Sequence, residues 1–472
     1  MDHLEENIRQ LVKEALQDIK LNVDTSNSST DAVGVFSTIE AAILAAEVAF
    51  HELEKLTLET RKEIIAAIRK ASTDNIVLLS KMASDETGMG RWEDKVIKNE
   101  LAIKKTPGVE DIVPETFSDD HGLALVEHAP YGVIGSISPS TNPTASIISN
   151  CIGMIAAGNS VVFNTHPAAK KVSNLLINLL NKAIMEAGGP KNLITTVETP
   201  TLESANTMMS HPKVALLVVT GGPAVVKAAM KKEKKTVAAG PGNPPCVVDE
   251  TADLAQAGRD IVLGASFDNN LICICEKETI VVESVADQLK AEMEKNGAYV
   301  LSPDQIKKVT DLVIADPGRP GHEGGANKNF VGKNASVIAK AIGLNIPDST
   351  RLLLCEVDAN HPLVWTEQLM PVMPLVKVPN VDDAIDLAQR CEHGFKHTAI
   401  MHSHDIAALS KMAKVMDCSI FIKNGPSYAG LGNGGAGFAS FTIASPTGEG
   451  VTRARTFTRE RRCTLVDFFR II

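Results

Sequence analysis

The sequence predicts an α/β protein whose sheets are mostly parallel and covered by helices on both faces. Two observations carry this. Between residues 133 and 239, short apolar runs of strand length alternate with segments of helical periodicity. The chain has 472 residues, 44% of them hydrophobic and 22% charged, enough for large cores and about three domains at roughly 150 residues each. The formal net charge of −10 argues against a nucleic-acid partner, and 4% aromatics argues against a base-stacking surface. No run of 18 apolar residues is present, so no membrane span is expected. The N-terminus carries Asp2, Glu5 and Glu6 and no apolar segment of secretory type. The eight cysteines are scattered, which suggests free thiols in a reducing compartment.

Taken in order, Leu4, Ile8, Leu11, Val12, Ala15, Leu16 and Ile19 form one apolar stripe, predicting an amphipathic helix over 1–21. Residues 22–34 are small and polar and read as a linker. The body starts near Val35, and 38–105 is mostly helical, rich in Ala, Leu, Ile, Lys and Glu. Strands are predicted at 133–138 and 160–164. A helix follows, with its stripe over 172–184, and stops at Gly188, Gly189 and Pro190. Further strands fall at 193–197, 215–219 and 236–239, with helices at 202–209 and 224–231. Beyond Cys246 the alternation is less regular, with strands near 279–282 and 352–356, and 315–329 reads as a loop. No internal repeat is evident.

Three segments have chemical potential. Thr220-Gly221-Gly222 sits between an apolar strand and a helix, where exposed N–H groups suit a phosphate; a plain tight turn is the competing reading. Cys273 and Cys275 lie at the mouth of a predicted strand. No further ligands have metal-site spacing, so no metal is expected; the choice is between a buried structural thiol and a thiolate nucleophile. In Ser138-Pro139-Ser140-Thr141-Asn142-Pro143 the prolines stiffen the loop, and Asn142 is either a turn residue or an aimed amide donor. The run Lys231, Lys232, Lys234, Lys235 suits the C-terminal end of a helix, although it also offers charge to a polyphosphate.

Taken together, the segments SDETGMGRWEDKVIKN, SPSTNPT, AAGNSVVFNTHPAAKKVS, LLVVTGG, AAGPGNPP, SFDNNLICICEKE, TEQLMPVMP, HTAIMHS, IFIKNGPSYAG and SPTGEGVTRARTF resemble the aldehyde dehydrogenase superfamily, in particular the coenzyme-A-acylating branch housed in bacterial microcompartments. The resemblance runs from about Gly34 to Ile472. It implies a Rossmann-like cofactor domain (35–118 and 138–239), an α/β catalytic domain (240–442) and a small β oligomerisation element (119–137 and 443–472). It implies oxidation of a short-chain aldehyde, propionaldehyde first and acetaldehyde as the alternative, to acyl-CoA, with NAD as cofactor and coenzyme A as co-substrate. Cys273 matches the catalytic thiol and Asn142 the oxyanion donor. Glu367 matches the carboxylate at the nicotinamide ribose, and Thr220, Gly221 and Gly222 the cofactor turn; Pro139 and His166 are further cofactor candidates. The general-base glutamate of hydrolytic members is replaced by Ala239, and their adenosine-ribose residues by Asn164 and Pro167. Cys275 has no family role. The resemblance also implies a homo-oligomer, dimer or tetramer, in the microcompartment lumen. The helix 1–21 would then be an encapsulation peptide for a shell protein.

Overall fold

Two parallel sheets organise the chain, which a computed structural model describes over residues 32–472. The stripe of 1–21 and most of the linker 22–34 lie outside the described residues. The end of that linker belongs to the body: the Val33 N–H donates to Asn178 Oδ1 at 3.0 Å and the Gly34 N–H to Asn192 Oδ1 at 3.1 Å.

The first sheet has six parallel strands in the order Val35–Phe36, Ile194–Val197, Ser160–Thr165, Val133–Ser138, Val214–Thr220, Lys235–Ala239. Val133–Ser138 and Ser160–Thr165 are buried along their whole length, as strands covered on both faces must be, and so lack the alternation of a half-exposed strand; their polar members, such as Ser136 and Asn164, are buried too. From Val133–Ser138 the chain adds strands first on one side and then on the other. The order therefore reverses between that strand and Val214–Thr220, and such a reversal opens a crevice at the strands' C-terminal ends. Helix Pro143–Ala156 begins at this edge, with every residue buried. Helix Trp92–Lys105 packs beside it.

The second sheet has seven parallel strands in the order Ala298–Val300, Leu352–Val357, Val372–Val378, Glu278–Val282, Pro245–Val248, Thr398–His402, Ile420–Lys423. Its central strands are Val-, Ile- and Leu-rich and buried, and helices such as Leu254–Ser266 and Val381–Cys391 cover it.

An antiparallel sheet joins Glu115–Asp119, Gly122–Pro130 and Thr458–Val466. This corrects two expected boundaries. Residues 133–137 belong to the six-stranded sheet, because Val133–Ser138 is buried along its whole length and finds parallel partners on both sides. Conversely, 115–118 belong to the antiparallel sheet rather than to the segment 35–118. Within 443–472, Ile443–Ala444 pairs with Gly450–Val451, and only Thr458–Val466 joins the three-stranded sheet. The loop expected at 315–329 contains a short antiparallel pairing, Ile314–Asp316 with Gly325–Ala326. No helix among the described residues is long and apolar enough to cross a membrane.

Candidate active site

Cys273 does not lie on a strand. It sits with Cys275 in a turn after helix Leu254–Ser266, and the strand Glu278–Val282 starts only beyond them. The turn is preceded by three consecutive residues in the left-handed region: Asp268 (φ 48°), Asn269 (φ 55°) and Asn270 (φ 66°). Non-glycine residues rarely adopt this conformation, and Asp and Asn tolerate it best. Each is held by its side chain. Asp268 Oδ1 accepts from the Arg91 N–H at 3.0 Å, and its Oδ2 accepts from Lys95 Nζ at 2.9 Å and from Lys98 Nζ. Asn269 donates to the Gly332 carbonyl at 2.9 Å and to Asn334 Oδ1 at 2.7 Å, and accepts from Arg91 Nε at 3.0 Å. Asn270 donates to the carbonyls of Ala265 at 2.7 Å and Glu276 at 2.9 Å, and the Lys277 ammonium donates to its Oδ1 at 2.5 Å. The loop that presents Cys273 is thus locked from several directions.

Asn142 stands at the N-cap of helix Pro143–Ala156 and is 6% exposed. Its side chain does not cap the helix. Instead its Oδ1 accepts from Lys98 Nζ at 2.8 Å, and its Nδ2 donates to Thr141 Oγ1 at 3.3 Å. Lys98 is buried on helix Trp92–Lys105 and so connects Asn142 with Asp268, five positions before Cys273. The sequence reading missed Lys95, Lys98 and Asp268. A signal was available: positions 95 and 98 share the helix face that continues to Leu101 and Ala102, so two lysines lie on an apolar stripe.

Cys273 is partly exposed as a residue, whereas Cys275 is buried at 1%. Burial and the Glu367 carboxylate push the Cys273 thiol up to about 12; Lys277 and the backbone N–H groups of Cys273 and Ile274 pull the other way. Burial raises Cys275 to about 12 as well. Gly242 links Cys273 to Glu367. Its N–H donates to Glu367 Oε1 at 3.4 Å, and a Cβ built on it would come within 2.9 Å of the Cys273 carbonyl. The Glu367 carboxyl, raised to about 7 by burial, is poised near neutrality beside the thiol. Ala239 is buried at 3% at the end of strand Lys235–Ala239, three residues before Gly242.

Pro139 and His166 follow strands of the six-stranded sheet at its C-terminal edge, and Thr220 is the last residue of a third strand there. Thr220 Oγ1 is engaged with Thr442 Oγ1 at 3.0 Å, and the Gly221 N–H with the Ala239 carbonyl at 3.4 Å. Gly222 is open: nothing lies within 4 Å of a Cβ built there. Helix Pro223–Met230 starts immediately after it; Pro223 has no N–H and the Val225 and Val226 N–H groups bond the Gly222 carbonyl at 3.2 and 3.3 Å, which leaves Ala224 to offer its N–H at the edge. A groove of about 390 Å³ runs past Pro223, Val226, Met230, Pro241 and Glu323. This arrangement suits a dinucleotide phosphate at a helix start with an apolar wall beside it. His166 is exposed, and its Nδ1 accepts from the Ala168 N–H at 3.1 Å; it stands one strand away from the reversal. In the basic run, Lys232 bonds Ser210 at 2.8 Å, Lys234 the Val214 carbonyl at 2.8 Å and Lys235 Glu449 at 2.7 Å, while Lys231 lines the groove. Most of that charge is spent on the fold. Among the described residues no group of three His, Cys, Asp or Glu side chains is placed to hold a metal ion.

Two parallel sheets, the first with a crevice where its strand order reverses, and a cysteine held in a locked loop before the second's central strand give the fold of an aldehyde-oxidising dehydrogenase. The chain belongs to the aldehyde dehydrogenase family, whose model matches residues 32–440. It is 50% identical over 469 residues to the acetylating acetaldehyde dehydrogenase of Escherichia coli, covering 99% of this chain and 100% of the relative. It is 49% identical over 439 residues to the CoA-propanoylating propanal dehydrogenase of Salmonella typhimurium, covering 93% of each chain. Among solved structures, the propionaldehyde dehydrogenase of Rhodopseudomonas palustris, with bound CoA and an acylated cysteine, superposes with a TM-score of 0.89 at 50% identity, covering 92% of this chain and 98% of that one. The propionaldehyde dehydrogenase of the Clostridium phytofermentans fucose utilisation bacterial microcompartment gives 0.90 at 45% identity, covering 93% and 100%.

Proposed function

We propose that the chain oxidises a short-chain aldehyde, propionaldehyde foremost, to its acyl-CoA, through a thioester on Cys273 and inside a bacterial microcompartment. The observation that carries transfer to coenzyme A over hydrolysis is the buried methyl of Ala239, at the position where the family resemblance sets the general base of hydrolytic members. A thiol with pKa near 8.5 is a few per cent ionised at neutral pH, whereas water is hardly ionised, so a thiol acceptor needs far less help from a base. Acetaldehyde is the second reading, favoured by the equally high identity to the acetylating relative.

Cys273 starts as a thiol, since its pKa stands near 12. Glu367, near 7 and bonded to Gly242, is the neighbouring group able to take the proton as sulfur attacks the aldehyde carbon. The carbonyl π electrons move to oxygen, and Asn142 Nδ2 with the Cys273 N–H holds the resulting oxyanion. NAD, when bound along the Thr220-Gly221-Gly222 edge, supplies the hydride acceptor. Collapse of the oxyanion leaves the acyl group on Cys273 as a thioester. Attack by the CoA thiol then returns the Cys273 sulfur.

The decisive experiment follows NADH formed from propionaldehyde with and without coenzyme A and identifies the product by mass spectrometry. Propionyl-CoA formation that stops without coenzyme A supports the reading; free propionate as the main product overturns it. Cys273→Ala is expected to abolish oxidation while Cys275→Ala keeps most of it. Ala239→Glu is expected to raise propionate formed without coenzyme A, with a folding control because a carboxylate would enter a buried position.

The helix 1–21 is proposed to address the enzyme to a shell protein by helix-in-groove docking. The antiparallel sheet and tail are proposed to pair subunits. Phe117, Val466, Phe468, Phe469, Ile471 and Ile472 are exposed there, more apolar surface than a lone subunit usually leaves uncovered.

A further inference from the structure

We propose that Lys98 is a positioning residue that aims and polarises the Asn142 amide, joining the oxyanion site to the nucleophile's loop through the carboxylate it shares with Lys95. The inference rests on the reading of Asn142 as the oxyanion donor.

The first observation is direction. Lys98 Nζ donates to Asn142 Oδ1 at 2.8 Å and to the Thr141 carbonyl at 3.3 Å. An ammonium has three donors and no acceptor, so only the amide oxygen can face it. A flipped amide would set –NH₂ against –NH₃⁺. Lys98 therefore turns the Asn142 Nδ2 group away from the helix. One of its hydrogens goes to Thr141 Oγ1 at 3.3 Å, which leaves the other for an incoming oxygen.

The second is charge. Lys95 and Lys98 both bond to Asp268 Oδ2, and the side chains are 2%, 1% and 0% exposed. Two ammonium groups on one carboxylate leave a buried excess of one positive charge. Asp94 does not cancel it, since its Oδ2 accepts from Arg351 at 2.7 Å and from the Asp268 N–H at 2.9 Å. A buried uncompensated charge is costly, and fold stability alone favours removing it. Its use is to oppose negative charge that arises only during reaction. A cation on the amide oxygen draws electron density from the nitrogen and strengthens its N–H as a donor. Burial pulls the Lys98 pKa to about 8 while Asp268 holds it up, so the group keeps its proton at neutral pH.

The third is coupling. The same Asp268 fixes the left-handed start of the Cys273 loop and receives the Arg91 N–H at 3.0 Å. Nucleophile and oxyanion donor are thereby held in one register.

The test is a double-mutant cycle of Lys98→Met and Asn142→Ala, read as kcat and KM for propionaldehyde with NAD and coenzyme A present. Asn142→Ala is expected to lower kcat by about 10²–10³-fold, the loss typical of an oxyanion donor. Lys98→Met is expected to lower kcat by about 10–10²-fold with KM little changed. The double variant is expected to be no slower than Asn142→Ala alone, because Lys98 works through that amide. If the two losses multiply, or folded Lys98→Met keeps full activity, the inference is overturned while Asn142 keeps its role. If Asn142→Ala is as fast as the unaltered enzyme, the oxyanion reading falls and this inference with it. Should Lys98→Met fail to fold, Lys98→Gln, which keeps an N–H donor without the charge, takes its place in the same cycle under the same criteria.

Discussion

Gly242 is one atom short of a collision. A methyl there would lie 2.9 Å from the Cys273 carbonyl and 3.0 Å from the His397 ring, and the first of these is backbone. Gly242→Ala is therefore expected to displace the nucleophile's turn. Overpacking of this kind costs ~1–3 kcal/mol, and misplacing a reacting atom by about 1 Å can cost ~10²-fold in rate. Steady-state kinetics beside thermal melting check it: a kcat at least tenfold lower in a folded protein is expected, and an unchanged kcat would contradict the geometry. Glu276 makes a second prediction. It is 0% exposed, its Oε1 accepts from the Ser427 N–H at 2.8 Å, and its Oε2 has no hydrogen-bond partner among the described residues. Burial raises its pKa from 4.5 to about 7. The folded state then binds more protons than the unfolded state between those values, so stability falls as pH rises across that window and the full penalty is present above about 7. Glu276→Gln keeps the acceptor and removes the charge. It is expected to raise stability at pH 8 by up to about 3 kcal/mol and to leave pH 4 stability nearly unchanged, as urea titrations at the two pH values would report. Equal effects at both would rule out the buried charge as the cause.

At the scale of elements, the loop 268–270 decides where the nucleophile points. Each left-handed non-glycine residue costs ~1–3 kcal/mol unless its surroundings compensate, and here every side chain is tied down. Asn270→Ala would free the carbonyls of Ala265 and Glu276 and take the Oδ1 acceptor from the Lys277 ammonium. Destabilisation of about 2–4 kcal/mol is expected by chemical denaturation, together with altered alkylation kinetics of Cys273. Strand and helix elements were legible in the sequence, since apolar runs and 3.6-residue stripes mark them. The loop was not. The cysteines looked like the mouth of a strand, because Leu271, Ile272 and Ile274 give an apolar run that periodicity cannot separate from a turn packed in a core.

At the scale of the whole molecule, two predictions concern surfaces. A chain beginning at Ala32 keeps the first ties of the described body, the N–H groups of Val33 and Gly34. It is expected to keep its Tm and kcat and to lose co-purification with co-expressed shells; full co-purification would show that 1–21 is not the address. Leu11→Glu with Leu16→Glu, which breaks the stripe without shortening the chain, is expected to do the same. The exposed apolar tail is expected to be covered by a second subunit. Phe468→Ser with Phe469→Ser should shift the sedimentation profile toward smaller species, and an unchanged profile would exclude that face.

The sequence by itself determined the α/β class, most strand positions and the family whose motif singles out Cys273. Those features are written in local periodicity and in a motif whose order along the chain is its signal. Only the tertiary structure decided what surrounds the cysteine. Lys98, Asn142 and Asp268 are separated in the chain by 44 and 170 positions from Lys98, yet meet through one ammonium group. Gly242 likewise reaches the Cys273 carbonyl from a distant segment, and Glu367 and His397 meet Gly242 from two others. Such contacts have no period and no spacing, because they are set by how helices and sheets pack. That packing also shifts the charges: burial, not residue type, carries Lys98 toward 8, Glu367 toward 7 and Cys273 toward 12.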